Sequence, residues 1–162
     1  MSAPSNIDLS SLNGSNGFKL SGVAAYDLSG VSVASAGDVN GDGFADLIVG
    51  AVGADPHGST SGASYVVFGK ASGFAANIDL SSLDGSNGFK LSGAAADDYG
   101  GGSVASAGDV NGDGFADLII GAKGADPHGS YSGASYVVFG KASGFGANLD
   151  LSSLNGSNGF KL

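Results

Sequence analysis

Asp38-Val39-Asn40-Gly41-Asp42-Gly43-Phe44-Ala45-Asp46 is a nine-residue stretch that recurs unchanged from Asp109 to Asp117. Its first, third and fifth positions carry short oxygen side chains, Asp38, Asn40 and Asp42 in one copy and Asp109, Asn111 and Asp113 in the other, and its sixth is glycine. That spacing turns alternate residues towards one hard cation. The seventh position adds a backbone carbonyl, from Phe44 or Phe115, and the ninth another carboxylate, from Asp46 or Asp117. Five or six flexible oxygens suit calcium better than magnesium, which prefers a small octahedral cage and keeps its waters. Asp, Asn and Gly are also ordinary turn residues, but a solvated turn does not require three carboxylates in one short loop.

An interhelical calcium loop would end in a bidentate Glu at position 12. Here that position is Val49 or Ile120, and the chain has no Glu. The loop runs instead into Leu47-Ile48-Val49-Gly50-Ala51, an unbroken apolar run that reads as a strand covered on both faces. It follows Ser32-Val33-Ala34-Ser35-Ala36-Gly37, a strand of small residues. The expected setting is the tip of a β-hairpin.

The 162 residues include 31 glycines and no Glu, Arg, Gln, Trp or Cys. Strong helix formers are therefore scarce and turn positions plentiful, which predicts an all-β chain of short strands. The net charge of −9, from 15 Asp against six Lys, makes nucleic acid a poor partner. No apolar run is long enough to span a membrane. Met1-Ser-Ala-Pro-Ser lacks the features of a signal peptide. Open calcium loops suit millimolar extracellular calcium, so an extracellular, secreted parent protein is expected.

The two loops belong to a longer repeat with a period of 71 residues, the distance from Asp38 to Asp109. After a tail of residues 1–5, one repeat covers 6–76, a second covers 77–147, and 148–162 begins a third. Each repeat offers four strands: Gly30 to Val39, Ala45 to Ala51, Ala63 to Phe68, and the alternating Gly88 to Ser92. Small inside, doubly buried in the middle and half wet outside, such a sheet has the profile of a propeller blade. Ile78, Leu80 and Leu83 are expected to pack through a short 3₁₀ turn. The copies diverge most where Val23, Tyr26, Leu28, Ser29 and Val31 become Ala94, Asp97, Tyr99, Gly100 and Gly102, a link placed on the rim.

These residues resemble the FG-GAP repeats, the calcium-binding β-propeller blades of integrin α-chains and of bacterial surface and secreted proteins. The likeness is carried by Gly30 to Gly43, Asp46 to Ala51 and Gly62 to Gly69, and in the second copy by Gly101 through Gly140. It implies calcium, one ion per repeat and two per chain, at Asp38, Asn40, Asp42, Phe44 and Asp46 and at Asp109, Asn111, Asp113, Phe115 and Asp117. The ions would brace the hairpins and take no part in chemistry. The family's naming phenylalanine is Ser29 or Gly100 here and its proline is Val52 or Lys123, which points to the bacterial branch. Family propellers commonly have about seven blades, and two cannot close a ring. The chain is therefore expected to be a fragment or engineered piece that self-assembles as a homotrimer or homotetramer, giving six or eight blades. Three outer-strand segments, at Phe18, Phe89 and Phe160, serve two sets of inner strands, so one is redundant.

The expected function is a non-catalytic structural or interaction module. The alternative is a lectin-like propeller holding a glycan or protein ligand, with Tyr26, Tyr99 and Tyr131 as stacking residues; partial burial at blade edges is the favoured reading of these tyrosines. His57 and His128, in identical Ala-Asp-Pro-His-Gly-Ser turns, do not read as a catalytic set, because neighbours in a Pro-Gly turn rarely converge as a triad. Each is expected to be solvated or to make one hydrogen bond to a neighbouring loop.

Overall fold

The computed structural model describes residues 6–162; the expected tail of residues 1–5 lies outside the described residues. In chain order the strands are β1 (Lys19–Ser21), β2 (Ser29–Gly37), β3 (Asp46–Ala51), β4 (Ala63–Val67), β5 (Asn77–Asp79), β6 (Gly88–Ser92), β7 (Gly100–Gly108), β8 (Asp117–Ala122), β9 (Ala134–Val138), β10 (Asn148–Asp150) and β11 (Gly159–Lys161). The helical residues form three short 3₁₀ turns, Leu9–Ser11, Leu80–Ser82 and Leu151–Ser153. Each starts at an Asp whose side chain accepts from the backbone N–H two residues on, at Ser10, Ser81 and Ser152. That is how Asp-x-Ser opens a turn.

Two antiparallel blades result. The first runs β6-β4-β3-β2 and the second β11-β9-β8-β7. The four expected strands of each repeat are all present, with ends within about two residues of those read from the sequence. Two features differ from expectation. The three-residue strands β5 and β10 were not foreseen, and β10 adds a fifth, parallel strand outside β6. The second is that Val39 and Phe68 lie beyond the ends of β2 and β4, although both are buried.

The fold identifies the surplus outer strand. β6 and β11 each close a blade, whereas β1 pairs in parallel with β5 and, among the described residues, has no inner strands of its own. Its segment, 6–20, is identical to 148–162 except that Ile7 stands where the other has Leu149. Their situations differ: Leu9 is 78% exposed and its counterpart Leu151 is buried.

The main core lies at the seam between the blades. Ile48, Val66, Phe89 and Leu91 of the first meet Val104, Leu118, Ile120 and Val138 of the second. Burying side chains of this size contributes about 1.5–3 kcal/mol each. Small inner residues permit the approach: a Cβ on Gly50 would lie 2.0 Å from the Gly101 carbonyl oxygen. The Val104 N–H donates to Ser32 Oγ at 3.0 Å across the same seam. Each blade's other face lacks a blade, so the doubly covered β3 expected from sequence leaves Leu47 exposed. The two blades do not close a ring within the chain.

Candidate metal centre

The repeated loop joins β2 to β3, and β7 to β8, at hairpin tips, as its flanking sequences require. A register irregularity between Ser35 and Gly37, with Gly37 at φ +75°, ends the ladder before Asp38. Within the tip, side-chain oxygens cap the turning backbone. Asp38 Oδ1 accepts from the N–H groups of Gly41 at 2.7 Å and Asp42 at 3.1 Å, and its Oδ2 accepts from Gly43 at 2.9 Å. Asn40 Oδ1 accepts from the Asp42 N–H at 3.0 Å, and Asn40 Nδ2 donates to Asp42 Oδ2 at 2.9 Å. The second loop repeats these bonds through Asp109, Asn111 and Asp113. The side chains at positions one, three and five are thus drawn together in both copies.

Position nine is held differently. Asp46 is buried, and its two oxygens accept from the N–H groups of Val39 at 2.9 Å and Gly69 at 2.8 Å. Asp117 does the same with Val110 and Gly140. This carboxylate therefore ties the loop's entry to the glycine two residues after β4 or β9, whatever else it does. Burial pushes the Asp46 carboxyl up to about 6, with the charges of Asp42 and Asp38 adding to the effect and the two backbone bonds opposing it. Tying both ends of the hairpin is a role the sequence reading missed. Its signal is the glycine following each third strand, Gly69 and Gly140, where a Cβ would strike the carbonyl oxygens of Ala45 and Ala116.

The donor chemistry fits a hard divalent cation: two carboxylates and an amide oxygen at the tip, with a third carboxylate beneath. Among the described residues no three acidic or histidine side chains converge as a ready cluster. The tip oxygens instead turn inward onto N–H groups; Asp38 Oδ1 accepts two of them, while Asp38 Oδ2, Asn40 Oδ1 and the Asp42 oxygens accept one each and keep a lone pair to spare. Among the described residues the one contact between a basic and an acidic side chain is remote, between His57 and Asp150, so no lysine pairs with a carboxylate of either loop. Phe44 and Phe115 sit at the seventh position, where their carbonyls were expected to serve, and Phe44 is exposed.

The histidines part company. The His57 ring lies 2.7 Å from the Gly93 carbonyl through Nδ1 and 3.1 Å from Asp150 through Nε2, linking the first blade's turn to segments of the next two repeats. This exceeds the single bond expected. Both ring nitrogens are thus directed at Gly93 and Asp150, and Asp55 accepts from the Thr60 N–H, so neither Asp55 nor Ser59 of the same turn is bonded to the imidazole as a triad would require. His128 is exposed. The expected partial burial of the rim tyrosines holds for Tyr99 but not for Tyr26 or Tyr131, which are 90% and 69% exposed. The reason is that the adjoining link or turn is present at only one seam.

The comparison with family models finds the FG-GAP repeat twice, over residues 29–67 and 100–138. Each match spans the first three strands of one blade, with the acidic loop inside it.

Proposed function

We propose, from the premise that this chain carries two FG-GAP repeats, that it is a calcium-binding structural and interaction module of β-propeller type with no catalytic role. The carrying observation is the charge of the two loops. Asp38, Asp42 and a buried Asp46, with their counterparts in the second repeat, have no cationic side chain paired to them among the described residues. A calcium ion per loop would take up the spare lone pairs of Asp38, Asn40 and Asp42, with the Phe44 carbonyl and Asp46 completing the set, and likewise in Asp109 to Asp117. Bound calcium supplies positive charge and stiffens the tip; the protein's part is to hold the oxygens in reach. Millimolar calcium outside cells suits this role, in line with an extracellular parent protein.

The module is further proposed to associate with copies of itself, three or four completing a ring of six or eight blades. Apolar residues on both open blade faces favour this, since soluble proteins rarely leave such faces bare. Light scattering after size exclusion in millimolar calcium is expected to give the mass of a trimer or tetramer. A single species of monomer mass in calcium would overturn the self-association.

A further inference from the structure

We infer that a second copy of this chain docks head to tail on the open blade face, with Tyr131 of one copy seated against Tyr26 and Leu28 of the next. The inference rests on the self-association reading above and names the contacts that fix it.

The internal seam supplies the pattern. There the turn between β3 and β4 meets the link that leads into β7. Thr60 Oγ1 donates to Asp97 Oδ1 at 2.8 Å, the Asp97 N–H donates to the Ser59 carbonyl at 2.7 Å, and the Tyr99 N–H donates to the Thr60 carbonyl at 2.9 Å. By the repeat, the counterpart of Thr60 is Tyr131, and the counterparts of Asp97 and Tyr99 are Tyr26 and Leu28. These lie at the two opposite open ends and are exposed. The backbone is already set for the contact. Tyr26 and Leu28 hold φ of +68° and +55°, close to the +63° and +56° of Asp97 and Tyr99, and Tyr131 holds +55° against +47° for Thr60. Such φ values are unfavourable for these side chains, so the links are shaped alike whether or not a blade lies beside them.

The sheet faces agree. Val104 is 6% exposed at the internal seam and its counterpart Val33 is 66% exposed; Val39 is fully buried and its counterpart Val110 is 50% exposed. Leu47 against Leu118, and Leu162 against Leu91, show the same contrast. Each of these four exposed residues thus has a twin buried at the internal seam. Repeating the seam lays residues 6–20 of the arriving copy over 148–162 of the resident one. The arriving segment gives way, being held by the short β1–β5 pairing, the Phe18–Phe74 stack and the packing of Leu20, with Leu9 exposed.

The two seams differ in sidedness: a polar Thr–Asp pair inside the chain, an aromatic pair between chains. A substitution cycle reads this directly by sedimentation velocity in millimolar calcium. Tyr131→Thr and Tyr26→Asp are each expected to weaken association about tenfold or more, as central aromatic contacts do. The double variant recreates the internal Thr–Asp pair and is expected to return close to the unsubstituted affinity. Both sites are exposed in the single chain, so thermal unfolding at low concentration should not move. Association of all variants equal to the unsubstituted chain would overturn the inference, leave self-association standing and release the tyrosines for a glycan. A double variant weaker than either single would overturn the pairing. No association in any form, the unsubstituted chain included, would overturn both the inference and the reading beneath it.

Discussion

Asp46→Ala is expected to destabilise the protein by about 3–5 kcal/mol already in EGTA, because it leaves two N–H groups without their acceptor at a buried site. The Val39 and Gly69 N–H groups both donate to this one carboxylate. In a chain of this size such a loss should lower the melting temperature by about 10–15 °C. Asp42→Ala is the contrast. Asp42 is exposed and caps the Phe44 N–H at 2.8 Å, so its removal in EGTA should cost only about 1 kcal/mol. In calcium the same substitution should forfeit the ion's whole contribution at that loop. Thermal unfolding of both variants in EGTA and in calcium separates the buried tie from the exposed ligand. Equal effects of the two substitutions in EGTA would show that Asp46 has no structural role of its own.

The second large effect is that of calcium on stability and on its pH dependence. Binding that is confined to the folded state adds about 2.7 kcal/mol per site when the free ion is at a hundredfold its dissociation constant. The carboxyl of Asp46 sits at about 6 in the folded chain against an ordinary 3.8, so the folded state holds its proton more tightly. In EGTA, then, this group favours folding below about pH 4, and the advantage is lost as pH rises towards 6, by an amount on the order of 2–3 kcal/mol. Asp8, Asp79 and Asp84, held below the usual range by hydrogen bonds from Ser10, Ser81 and Ser86, act in the opposite sense, and only as pH falls below about 4. Bound calcium, as proposed, would keep Asp46 ionised and should remove its share of the fall between pH 4 and 6, leaving that of Asp98, whose carboxyl is also raised by burial. Melting curves across that range that are flat in EGTA, or unchanged by calcium, would contradict the coupling between loop and fold.

Much of the architecture was legible because the repeat states it twice. Alternation in Gly88 to Ser92 gave an outer strand, the unbroken apolar runs gave the middle strands, and Asn40-Gly41-Asp42-Gly43 gave the hairpin tip. Three-residue strands were not legible: Asn77-Ile78-Asp79 has no periodicity to show, and its pairing with β1 is fixed by packing against the neighbouring repeat. Nor could the sequence say which of three nearly identical segments is surplus. That is decided by which inner strands lie beside each, and the sequence around Phe18 differs too little from that around Phe160 to carry the information. At the candidate metal centre the residue types were legible and their division of labour was not. Asp38 and Asp46 look equivalent as acids, yet one caps the tip and the other is buried beneath it. His57 and His128 share a turn sequence, and among the described residues only the first meets a later segment of the chain.

The central claim is that each acidic tip takes one calcium ion. Equilibrium dialysis measures it most directly. Two ions per chain are predicted, falling to one in Asp113→Ala and to none when Asp42→Ala is added. No bound calcium at millimolar concentration, or a count unmoved by these substitutions, would contradict it.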